Sequence, residues 1–150
     1  HNHLLPGIDD GAADVAQSLL LAKALHALGY THIVCTPHIL STLYPNTPHT
    51  IQAASQLVQQ PFLPLQWLRS AAEYMIDDAF VQKLHNNEPL LTIHSNWVLV
   101  EFSYVAAPIM YKEVLFQIQM KGYQPVLAHP ERYSYFASNY NIYNDLVAAG

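Results

Sequence analysis

The stretch Trp97-Val98-Leu99-Val100-Glu101-Phe102-Ser103 (WVLVEFS, residues 97–103) decides the fold. A short, near-continuous apolar run reads as a strand of a parallel sheet, covered on both faces. This one runs straight into a carboxylate, which is costly to bury unless it is paired or bound to a metal. In parallel α/β folds, ligands and catalytic groups gather at the C-terminal ends of strands. Glu101 therefore stands where chemistry is expected.

Three further stretches read the same way: HIVCTP (32–37), LQWLRSAAEY (65–74) and PVLAHP (125–130). Between the strands lie helical patterns. DVAQSLLLAKALHALGY (14–30) carries a cap at Asp14, an apolar stripe of Val15, Leu19, Ala22, Leu25 and Leu28, and a stop at Gly29. TIQAASQLVQQ (50–60) is a weaker helix stopped by Pro61, after the turn chemistry of STLYPNTPH (41–49). DDAFVQKLHNN (77–87) begins with acidic residues, the favourable end for negative charge. PIMYKEVLFQIQMKGY (108–123) has Pro108 at its start and Gly122 past its end. NYNIYNDLVAAG (139–150) closes the alternation. The order is α/β with parallel strands, and there is no internal repeat or linker. The strands are too few for a closed eightfold barrel, whose typical length is ~250 residues.

Composition narrows the function. The 150 residues fit one domain, and 51% are hydrophobic, enough for a core. Charged residues make up only 11%, against about 25% typically, which points to a missing part of the fold or a missing partner. A net charge of −5 and scattered Lys and Arg argue against nucleic acid. No apolar run reaches the ~18 residues of a membrane span. Cys35 is the only cysteine, so no disulfide framework exists and a cytoplasmic setting is expected. Nine histidines are the outlier.

Each strand runs into a metal-competent side chain: His38 after HIVCT, Glu73 after LQWLRSAA, Glu101 after WVLV, and His129 after PVLA. His1, His3 and Asp10 of HNHLLPGIDDG (1–11) complete a set of imidazoles and carboxylates suited to Mn, Fe or Zn. The set is too large for one ion, and two or three ions sharing carboxylates clamp phosphate esters and lower the pKa of bound water. Arg132 adds a planar cation that grips phosphate. Each member also has an ordinary alternative. The H-x-H pair arises by chance in a His-rich chain, and Glu101 can sit in a satisfied salt bridge. His38 and His129 can be hydrogen-bonded loop residues, and Glu73 a surface residue. Asp10 can cap the turn before Gly11, as Asp9 is expected to do, and Arg132 can pair with Glu131. His26, His32, His49, His85 and His94 read as solvated or structural, and Cys35 as a buried small residue. Among the late tyrosines, Tyr133 is the best candidate for substrate contact because it follows Arg132.

HNHLLPGIDDGA, IVCTPH, YPNT, AAEYMIDDAF, LLTIHSNWVLVEFSY and GYQPVLAHPERY resemble the bacterial PHP-family tyrosine phosphatases of capsule and exopolysaccharide operons. The resemblance implies a distorted (β/α)7 TIM-like barrel, one PHP domain over residues 1–150, and manganese. It implies metal ligands at His1, His3, Asp10, His38, Glu73, Glu101 (bridging) and His129, with His38 and Asp10 also in the catalytic set. Arg132 matches the arginine that contacts phosphate. The implied reaction is phosphotyrosine hydrolysis by a metal-activated hydroxide. The implied substrate is the tyrosine-rich tail of an autophosphorylating bacterial kinase controlling polysaccharide export. The family's strand before the H-x-H pair and its late D-x-H are absent, so the chain is expected to be a fragment lacking the first strand and the C-terminal part. The competing expectations are action on a small ester such as histidinol phosphate, a catalytically incomplete PHP-fold binding module, and a redox sensor built on Cys35.

Overall fold

A computed structural model describes residues 1–59, 68–137 and 141–149, which fall into two compact units, His1–Ala72 and Glu73–Gly150. Parts of three expected elements lie outside the described residues: Leu65–Trp67, Gln60, and Asn139, Tyr140 and Gly150.

The first unit contains α1 (Val15–Ala27), β1 (Ile33–Cys35), β2 (His38–Ile39), α2 (Pro48–Gln59) and β3 (Leu68–Ser70). Asp14 caps α1 as expected, accepting from the Gln17 amide at 2.8 Å. The stripe Val15, Leu19, Ala22, Leu25 faces inward together with Ser18, whereas Leu28 is exposed at the C-cap. Serine is tolerated there because its hydroxyl donates to the Asp14 carbonyl one turn back, at 2.9 Å. Helix α2 starts at Pro48, two residues before the expected Thr50, since proline suits a first turn whose amides lack helical partners. β1 and β3 pair in parallel, with Ile33 opposite Leu68 and Cys35 opposite Ser70.

What holds the leading residues is visible here. Asn2 lies along the end of β1: its carbonyl accepts from the Thr36 amide at 2.9 Å, and its side-chain amide donates to the Val34 carbonyl at 2.9 Å. The loop that follows is closed by Ala12 N–H to the His3 carbonyl (3.0 Å) and Gly7 N–H to the Ala12 carbonyl (2.8 Å). Leu4 and Leu5 are buried beneath it.

The second unit contains β4 (Glu73–Met75), α3 (Asp78–His85), β5 (Trp97–Glu101), α4 (Tyr111–Met120), β6 (Gln124–Leu127) and α5 (Asn141–Ala148). β5 is central, parallel to β4 on one side and to β6 on the other. Val98, Leu99 and Val100 are buried, as the continuous apolar run demands. Asp77 caps α3 through the Phe80 amide at 2.8 Å. Helix α4 begins three residues after the expected Pro108, because Pro108 opens a turn that accepts from the Tyr111 amide at 3.2 Å.

One expectation is corrected. The stretch 65–74 is not one strand ending at Glu73. It breaks at the buried Ala71-Ala72 pair, and Glu73 begins β4. The new strand sits opposite the second half of β5, with Glu73 facing Leu99 and Met75 facing Glu101. The fold class stands: mixed α/β with parallel strands. Neither unit by itself closes a barrel, as one carries a two-stranded pair and the other an open three-stranded sheet. Among the described residues no helix is long and apolar enough to cross a membrane.

Candidate functional site

In the second unit, sheet register brings the two glutamates together. Glu73 is level with Leu99, and Glu101 lies two residues further along β5, so both side chains leave the same face. His129 arrives from the end of β6. Its backbone is left-handed (φ 31°), uncommon for a residue with a side chain, and this turn ends the strand and re-aims the imidazole. Nε2 of His129 lies 2.9 Å from Glu73 Oε1 and 3.8 Å from Glu101 Oε2. The carboxylate side chains are 0% and 2% exposed. With both ionised, a single imidazolium leaves one negative charge in excess, whereas a divalent cation with a neutral imidazole balances the two carboxylates. Carboxylate oxygens and imidazole nitrogen are the donors such ions take, so the residues fit a metal.

In the first unit, His3, Asp10 and His38 each offer a ligand atom within 4.8 Å of the others. His38 Nε2 is 3.5 Å from Asp10 Oδ1, and the His3 and His38 rings are 4.5 Å apart. The His1 ring stands edge-on to His3 at 5.1 Å. Glu73, Glu101 and His129 thus converge within one unit and His3, Asp10 and His38 within the other, with His1 beside His3.

Several residues that hold these ligands were not singled out by the sequence. Asp9 does cap the turn, accepting from the Gly11 amide at 3.0 Å, but it does more. Its buried carboxylate also takes His3 Nδ1–H at 2.7 Å and the His38 amide at 3.1 Å. Burial alone would raise its pKa; the bonds from His3, Gly11 and His38 outweigh that and hold it below the usual carboxylate range. An ionised Asp9 keeps the proton on Nδ1 of His3 and leaves Nε2 for a metal. The Thr36 hydroxyl lies 2.7 Å from Nδ1 of His1 and holds that ring in place. Tyr44 stacks on His38 at 5.6 Å, and Asn46 donates to the carbonyls of Ile8 (2.7 Å) and His38 (2.9 Å). Asp9→Asn keeps the shape and loses the charge. If His3 is a metal ligand, the change is expected to weaken metal binding roughly 10–100-fold, the usual cost of losing an orienting carboxylate. A Mn²⁺ titration that matches the parent protein would refute the orienting role.

Arg132 is exposed, and its Nη1 donates to the Tyr104 hydroxyl at 3.3 Å. Tyr133, expected to touch substrate, is instead a core residue at 1% exposure. Its hydroxyl accepts from the Phe102 amide and donates to the Ala128 carbonyl, both at 3.1 Å. It therefore ties together the residues flanking Glu101 and His129, and burial raises its pKa well above the ordinary value. Tyr104 brings its hydroxyl to 3.4 Å from His129 Nε2. His26, His32, His49, His85 and His94 are all exposed, as expected. Cys35 is buried, and burial pushes its thiol up to about 12, which leaves too little thiolate for redox sensing.

A family profile described as "Capsular polysaccharide synthesis, CpsB/CapC" matches residues 1–150. Tyrosine-protein phosphatase YwqE of Bacillus subtilis is 34% identical over 159 residues, covering 100% of this chain and 60% of the relative. Putative tyrosine-protein phosphatase CapC of Staphylococcus aureus is 28% identical, covering 100% of this chain and 60% of the relative. Among solved structures, a chain from the work on YwqE of B. subtilis and CpsB of Streptococcus pneumoniae, described as unique metal-dependent tyrosine phosphatases, superposes with a TM-score of 0.88 at 30% identity. That match covers 100% of this chain and 62% of the other. The chain thus spans about three fifths of the length of these relatives.

Proposed function

The chain belongs to the CpsB/CapC family of capsular polysaccharide synthesis, and on that premise we propose that it is part of a metal-dependent protein-tyrosine phosphatase. The observation that carries the reading is the convergence of buried Glu73 and Glu101 on Nε2 of His129. A purely structural cluster gains little from two buried carboxylates and one imidazole. The names of the relatives supply the reaction class.

In this reading His1, His3, Asp10 and His38 are metal ligands in one unit and Glu73, Glu101 and His129 are metal ligands in the other, and we take the metal to be Mn²⁺, two or three ions in the whole protein. Such ions polarise phosphoryl oxygens and lower the pKa of water. The chain's own residues do the rest. Asp9 fixes the tautomer of His3, so that its Nε2 presents a lone pair, and Thr36 anchors the His1 ring through Nδ1. Arg132 presents its remaining N–H groups to the phosphoryl oxygens, where a planar fork matches two of them at once. The whole protein is a distorted (β/α)7 barrel in a single PHP domain, acting in the cytoplasm on the phosphotyrosine tail of a bacterial tyrosine kinase.

The test compares a phosphotyrosine peptide with histidinol phosphate, using full-length protein stripped with chelator and reloaded with Mn²⁺. Turnover is expected to vanish on stripping, to return on reloading and to favour the peptide. A preference for histidinol phosphate would overturn the tyrosine reading, and undiminished turnover after stripping would overturn the metal.

A further inference from the structure

We propose that Tyr104 is a positioning residue for Arg132, setting the guanidinium that receives the substrate phosphate; this deepens the phosphatase reading and rests on it. Tyr104 stands three residues beyond Glu101, in the segment that leaves β5. Its hydroxyl accepts from Arg132 Nη1 at 3.3 Å, and the Arg132 Cζ lies 5.7 Å from its ring centroid. The ring itself is wedged, 5.6 Å from His129 and 5.9 Å from Tyr133, each tilted by 32°. Tyr104 is 47% exposed, so its outer face remains open to a ligand.

Arginine has five N–H donors and a long side chain that loses rotamer freedom when fixed. Among the described residues Arg132 makes no ion pair with a carboxylate. Its orientation is therefore set by Tyr104, through one hydrogen bond and the ring face. Because Nη1 spends one N–H on the phenol, the remaining donors are left for phosphoryl oxygens. A carboxylate in place of Tyr104 would hold the guanidinium equally well, but it would neutralise the charge that the phosphate needs. A phenol holds it without that loss. The His129 contact places this pair at the glutamate–imidazole cluster rather than elsewhere on the surface.

The experiment is a double-mutant cycle in full-length, Mn²⁺-loaded protein with Tyr104→Phe, Tyr104→Leu, Arg132→Ala and the Leu/Ala double variant. The readouts are KM and kcat for p-nitrophenyl phosphate, the binding constant for inorganic phosphate, and Mn²⁺ content. Tyr104→Phe is expected to raise KM and weaken phosphate binding roughly 3–10-fold, the scale of one net hydrogen bond, with Mn²⁺ content unchanged. Tyr104→Leu is expected to lose more, since the ring face goes too. In the double variant the Tyr104 change should add nothing to Arg132→Ala. Independent, multiplying effects would overturn the proposal, as would a Tyr104→Phe variant that binds phosphate like the parent. A parent protein that hydrolyses no phosphate monoester would overturn the phosphatase reading instead, and the phosphate-binding cycle would still decide the role of Tyr104.

Discussion

Glu101→Gln in the full-length protein is expected, on the phosphatase reading, to remove metal and activity together while making the metal-free protein more stable. Glu101 and Glu73 are both buried and both reach His129 Nε2, at 3.8 and 2.9 Å. Like charges so placed repel, and little water is present to screen them. Glutamine keeps the volume and hydrogen-bonding capacity of the side chain and removes one charge, so the fold is retained. The metal-free variant should gain about 1–2 kcal/mol, which at ~2–4 °C per kcal/mol is a rise of several degrees in thermal midpoint. Mn²⁺ at about 100 times its dissociation constant stabilises the parent protein by about 2.7 kcal/mol, and the variant should lose most of that response. Turnover should fall roughly a thousandfold or more, because several kcal/mol of transition-state charge stabilisation goes with the ion. Metal analysis, thermal melts with and without Mn²⁺, and phosphotyrosine turnover read the three effects separately. A variant with the parent's metal content and turnover would show Glu101 to be no ligand.

That opposition between stability and function explains why Glu101 was legible in the sequence at all. A carboxylate inside WVLVEFS breaks the apolar pattern of a buried strand, and such a break calls for a physical reason. The α/β alternation and the cap at Asp14 were legible for a similar reason, since periodicity and capping are local. Other features depended on contacts between distant residues. Asp9 and Asp10 are adjacent and chemically identical, yet only Asp9 is buried against His3 and His38, 29 residues away in the second case. Tyr133 sits next to Arg132 in sequence, but its hydroxyl is taken by Phe102, 31 residues away. Tyr104 is 28 residues from Arg132 and touches it. The split of 65–74 at Ala71-Ala72 was hidden because two small apolar residues fit a strand as well as they fit a break. Sequence spacing therefore singled out the candidate ligands, and tertiary contacts bring in the residues that aim them.

The other large effect is expected at Gly11. A Cβ built there would lie 2.0 Å from the His3 carbonyl oxygen, 2.5 Å from His3 Cβ and 2.8 Å from the His3 carbonyl carbon. Two of those atoms are backbone, so no change of rotamer relieves the clash, and the hydrogen bond from Ala12 N–H to the same carbonyl must distort as well. Overpacking of this kind costs about 1–3 kcal/mol, occasionally more. The displaced residue, His3, is held by Asp9 and is a ligand in the proposed metal site, so Gly11→Ala is expected to lose both stability and the Mn²⁺ that this reading binds through His3. Gly29→Ala supplies the control. Gly29 ends α1 at φ 92° with nothing within 4 Å of an added Cβ, so alanine there costs only the left-handed backbone, about 1–2 kcal/mol, and moves no ligand. The urea midpoints of the two variants give the stability term, and Mn²⁺ stoichiometry gives the placement of His3. Equal metal content in both would mean that the loop absorbs the methyl without moving His3. Loss of Mn²⁺ in Gly11→Ala alone would tie the glycine of the DDG sequence to the ligand eight residues before it.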